Sequence, residues 1–166
     1  TVDPVAPTVL GVTSTTADGS YNAGDVIDIT VTFSEAVSVT GTPVLALNTS
    51  GSAAYASGSG SAVLHFTYTV GSAETSSGLA ASSLSGGVIS DIAGNLGTLS
   101  LPSTPASATL AGSTSIIIDT TAPDAPYLSL ASYDSGTSGD NITNQNEVVL
   151  AVTAETGSTV AISATK

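Results

Sequence analysis

The chain has 166 residues, 41 % of them hydrophobic and only 8 % charged, against roughly a quarter charged in average globular proteins. Thirteen acids face a single lysine, Lys166, with no arginine, for a net charge of −12. That balance excludes nucleic-acid binding, which needs clustered bases to displace counterions, and it excludes attraction to an anionic membrane. The absence of cysteine excludes disulfides, thiolate metal sites and thiol catalysis, and no run reads as a membrane span or a signal peptide.

The pattern along the chain has period two, the spacing of a half-buried strand. Thr8–Thr13 reads as a first strand. In "DVIDITVTFSEAV", Ile27, Ile29, Val31 and Phe33 fall on one face and Asp28, Thr30, Thr32 and Ser34 on the other. Pro43–Asn48 and Ala53–Ser57 follow as strands, separated by Gly and Ser clusters. "AVLHFTYTVG" repeats the alternation, with Leu64, Phe66, Tyr68 and Val70 inward and His65, Thr67 and Thr69 outward. Val88–Ser90 and Ser115–Ile118 complete the series. No segment shows helical spacing. About seven short strands over some 115 residues predict an all-β fold, an immunoglobulin-like antiparallel β-sandwich.

The chain also repeats itself. "DPVAP" from Asp3 recurs as "DTTAP" from Asp119; Asp18-Gly19 recurs as Asp134-Ser135-Gly136, and Gly24-Asp25 as Gly139-Asp140. These landmarks predict tandem modules. Residues 1–118 form one β-sandwich module, and 119–166 are the linker and first two or three strands of a second, incomplete one. Either the chain is a piece of a longer array or missing strands come from another molecule.

"ADGSYNAGDVIDITVTFSEAV" and "GGVISDIAGN" together resemble the bacterial Ig-like, SwmB-type repeats of giant secreted adhesins. "DTTAPDAPYLSLASYDSGTSGDNITN" is similar to a sister repeat in the same kind of protein. The resemblance covers nearly the whole chain. It implies a calcium-dependent extracellular β-sandwich, a stalk or adhesive module of a bacterial surface or RTX-type adhesin that neighbours further Ig-like modules.

The acids themselves suit such an ion. Loop carboxylates with no basic partner are relieved by a hard divalent cation. Asp, Asn, Thr hydroxyls and turn carbonyls supply the six to eight oxygens that Ca2+ takes. Zinc prefers His and Cys, and the chain has one His and no Cys. The spacing after Asp134 is not that of an EF-hand, since Gly136 stands at its third position. Sandwich topology suggests three groupings. Asp18 and Asp25 should meet Asp119 at the junction of the modules, with Asp28 close by. At the opposite end Glu35, in the turn after its strand, should meet Asp91, Asn95 and Asp3. Asp134 and Asp140 should serve the far end of the second module. Any one of these residues is equally at home as a turn cap without metal.

No catalytic role is expected. One His and no Arg or Cys leave a hydrolytic triad without its members, and His65 reads as a surface residue. A carbohydrate- or cell-binding module is an alternative function, with Tyr21, Tyr55 and Tyr133 as its only contact aromatics. Self-assembly by strand exchange, as in a surface-layer or fibre subunit, is another.

Overall fold

The computed structural model describes residues 3–132 and 149–163; Asp134, Asp140 and Tyr133 lie outside them. Two compact units divide the chain, Thr1–Thr121 and Ala122–Lys166. Asp119 is thus the last residue of a strand in the first unit.

The first unit is built almost wholly of strands: β1 (Val9–Ser14), β2 (Gly19–Tyr21), β3 (Val26–Thr40), β4 (Val44–Leu47), β5 (Ser52–Ser57), β6 (Ser61–Thr69), β7 (Thr75–Ser76), β8 (Ala81–Ser85), β9 (Val88–Ser90) and β10 (Ile116–Asp119). Six of them form an antiparallel sheet in the order β1-β3-β6-β5-β4-β8, and β9 pairs with β3 outside that path. A small sheet has the order β2-β10-β7.

The alternation read in the sequence sets the core. Ile27, Ile29, Val31 and Phe33 of β3 are buried, as are Leu64, Phe66 and Tyr68 of β6 and Val70 beyond it. Register follows from that face: Ile29 lies opposite Phe66 and Val31 opposite Leu64. A one-residue slip would turn both rows to solvent. Tyr55 meets Phe66 edge to face, with ring centroids 5.9 Å apart.

Three features depart from expectation. β3 does not turn before Glu35 but continues to Thr40, a 15-residue strand. A register irregularity between Thr32 and Val37 lets its first half pair with β1 and β6 and its last residues pair with β9. The fold is not purely antiparallel either: β10 pairs parallel with β2, Ile116 opposite Gly19 and Ile118 opposite Tyr21. Finally, a 3-10 turn at Ala106–Ala108 and a four-residue helix α1 (Leu110–Ser113) precede β10. The Thr109 hydroxyl caps α1 by accepting from Gly112 N–H at 3.1 Å. One helical turn is too short to leave a periodic signature.

In the second unit β11 (Tyr127–Ser132) and β12 (Val149–Thr153) form an antiparallel pair, with Leu128 opposite Val152. Among the described residues no helix is long and apolar enough to cross a membrane.

Candidate metal site

Three separate stretches of chain bring Asp3, Glu35 and Asp91 together, with one carboxylate oxygen from each lying within 4.8 Å of the others. Asp3 sits on the segment that leads into β1. Its Oδ1 accepts from Val5 N–H at 3.0 Å. Farther along, Thr98 N–H donates to the Pro7 carbonyl at 2.8 Å and Ser34 N–H to the Thr8 carbonyl at 2.9 Å. Thr8 N–H returns a bond to the Ser34 hydroxyl at 3.0 Å. The segment is thus held between β3 and residues 95–98.

Glu35 stands on the inward parity of β3, between buried Phe33 and Val37, where an apolar residue belongs. Partial burial raises its carboxyl above the usual carboxylate value, and the charges of Asp3 and Asp91 push the same way. Asp91 follows β9 directly and is itself buried. Burial works against its ionisation, yet hydrogen bonds from the Asn95 side chain and from the backbone of Asn95, Gly94 and Ala93 outweigh it, and its carboxyl lies below the usual value. The turn is closed by Asp91 N–H donating to the Asn95 carbonyl at 3.1 Å. Gly94 occupies φ +93° within it, a conformation that a side chain disfavours.

The donor set fits a hard cation. All three ligands are carboxylate oxygens, and oxygens on one Ca2+ stand at most roughly 5 Å apart at its usual bond lengths. Zinc is poorly served. The one imidazole, His65, is engaged elsewhere, its Nδ1 3.0 Å from Asp28 Oδ2. Asn95, expected among the ligands, turns its amide nitrogen rather than its oxygen to the site, 2.6 Å from Asp91 Oδ2.

The expected grouping of Asp18, Asp25 and Asp119 is not formed among the described residues. Asp18 accepts from Ser115 N–H at 2.7 Å, at the start of β10, whereas Asp119 ends that strand. Four residues of strand separate the two positions by roughly 13 Å. The cause is the parallel pairing of β2 with β10, which carries Asp18 to the opposite end from Asp119. Asp25 accepts from Asn22 N–H at 2.8 Å and Asp119 from Thr121 N–H at 3.0 Å, so each closes its own turn.

Two polar arrangements had little sequence signal. Asp28 takes His65 and the Thr15 hydroxyl, a cross-strand contact set by the β3–β6 register. Glu74, a surface charge on sequence grounds, accepts from the buried Tyr68 hydroxyl and from Gly71 N–H. Burial and the adjacent Glu74 push Tyr68 up to about 12. Thr49 makes the third member, its hydroxyl 3.1 Å from that of Tyr68. Two of the candidate contact tyrosines tie down their own loops: Tyr21 donates to the Ala17 carbonyl, and Tyr55 accepts from Ser59 N–H.

Comparison with protein-family models, with curated proteins and with solved structures returns no match.

Proposed function

We propose that this chain is a calcium-binding structural repeat of a large bacterial surface or secreted protein, an Ig-like β-sandwich that calcium stiffens into a stalk. The observation that carries the reading is the meeting of Asp3, Glu35 and Asp91 with no basic side chain among the described residues to balance them. Lys166 and His65 are the only basic side chains in the sequence, and His65 pairs with Asp28. Asp3 belongs to the entering chain and the other two acids to the body of the unit. An ion held by all three fixes the direction in which the chain arrives, and repetition of that joint gives a rod. Extracellular modules of this kind bind calcium at about 0.1–1 mM, a level met outside cells.

The likeness of "GGVISDIAGN" and "DTTAP" to adhesin repeats supports the same reading, as does a first unit built almost wholly of strands, with one six-strand antiparallel sheet and a smaller one. Titration calorimetry tests it. One calcium bound by the first unit, at Asp3, Glu35 and Asp91, is expected, and that site is abolished by Asp91→Ala. A flat titration at millimolar calcium would remove the proposal.

A second reading, self-association, is favoured by the β11–β12 pair, where Tyr127, Leu128, Val149 and Leu150 are exposed. A neighbouring strand adding to that pair would cover them. Light scattering at high protein concentration distinguishes it: a monomer excludes strand exchange.

A further inference from the structure

Asn95 is not one of the acids, yet it touches the polypeptide on both sides of the site. Its Nδ2 lies 2.6 Å from an Asp91 carboxylate oxygen, 2.8 Å from the Asp3 carbonyl and 3.3 Å from the Val5 carbonyl. All three partners only accept, so the amide presents its N–H2 to them; the flipped amide would set oxygen against oxygen. Its backbone N–H also donates to Asp91 Oδ1 at 2.8 Å.

The entering segment has two kinds of anchor. From Pro7 onward the bonds to Thr98 and Ser34 hold it, most of them through backbone groups. Before Pro7, among the described residues, the hydrogen bonds reaching it from the body of the unit are those of the Asn95 side chain. The bond from Val5 N–H to Asp3 is internal to the segment. Asp3 therefore depends on Asn95 for its place beside Glu35 and Asp91.

Resting on the calcium reading above, we infer that Asn95 is a positioning residue that clips residues 3–5 to the Asp91 turn and so couples cation capture to docking of the entering chain. It acts through Asp3 and contributes no ligand oxygen. The Asp91 end of the clip stays with the body when residues 3–5 lift away, leaving two of the three carboxylates behind.

A double-mutant cycle tests this. Wild type, Asn95→Ala, Asp3→Ala and the double variant are titrated with calcium. They are then loaded with terbium, whose luminescence lifetimes in H2O and D2O count bound waters. Asn95→Ala is expected to weaken calcium binding roughly tenfold, the lower end for residues that orient a ligand, and to add about one bound water as Asp3 withdraws. On the Asp3→Ala background the same change should cost less than about twofold, because a residue acting through another loses its effect when that one is gone. Amide exchange by NMR adds a second readout: Val5 loses protection in Asn95→Ala while Thr98 keeps it. Retained Thr98 protection also reports that the variant is folded, and Asn95→Ser serves if alanine is not. Losses that add across the cycle, or an Asn95→Ala protein that binds as tightly as wild type with the same water count, overturn the inference while calcium binding stands. No binding by wild type overturns the calcium reading and the coupling with it.

Discussion

Glu35 and Asp91 share one site, yet their carboxyls are displaced in opposite directions. Burial and its acidic neighbours hold Glu35 above the ordinary 4.5, whereas the Asn95 turn holds Asp91 below the ordinary 3.8 against the effect of burial. The raised group stabilises the fold below its unfolded value and loses that contribution as pH rises through its folded value. The lowered group stabilises above its unfolded value and loses that as pH falls through its folded value. In chelator, acidification from neutrality toward pH 4.5 should therefore raise the melting temperature through Glu35, and further acidification below 3.8 should lower it through Asp91. Glu35→Gln should flatten the first limb and leave the second. A wild-type and Glu35→Gln pair with parallel curves would count against this assignment.

Calcium should reverse the standing of that variant. At 100-fold excess over its dissociation constant, one bound ion adds about 2.7 kcal/mol, which is several degrees of melting temperature for a domain of this size. Wild type should melt several degrees lower in EDTA than in millimolar calcium. Glu35→Gln should melt at or above wild type in EDTA, having lost a like charge, and respond little to calcium. Scanning calorimetry in both buffers reads the crossover.

Removing the Tyr68 hydroxyl should be costly although no core volume is lost. Tyr68→Phe leaves Glu74 and Thr49 each short of a partner at a mostly enclosed position. An unsatisfied buried group costs about 1–3 kcal/mol, and urea denaturation should show a loss in that range. Calcium stoichiometry should not change.

Asp18 and Asp119 should be separable from the metal. Asp18→Ala exposes Ser115 N–H at the start of β10 and should lower stability by about 1 kcal/mol, the worth of an ordinary hydrogen bond. Neither Asp18→Ala nor Asp119→Ala should alter the number of calcium ions bound by the first unit. Loss of a calorimetric site in either variant would restore the junction grouping.

What could be read from the sequence was whatever burial dictates locally. The inward rows of β3 and β6 were legible because a period of two leaves one face apolar over many residues. The meeting of Asp3, Glu35 and Asp91 was legible for a different reason: in a sheet of paired strands, acids near the same end of neighbouring segments come together whatever the detail of their turns. The position of Glu35 was less so, because an acid after an apolar run looks like the start of a turn, and a strand passing from one partner to another has no local mark. β2 is three residues, Gly19-Ser20-Tyr21, with too little alternation to announce a strand, let alone its direction. That direction decided where Asp18 went. The role of Asn95 depended on which end of its amide faced inward, which only its three acceptors determine.

The parallel pairing of β2 and β10 also bears on mechanics. β10 is the strand by which the chain leaves the first unit. A pull along its axis loads the rungs between the two strands in shear, so they share the tension instead of opening one after another like a zip. Rungs loaded together yield late and abruptly under stretching, a behaviour that the proposed stalk would use.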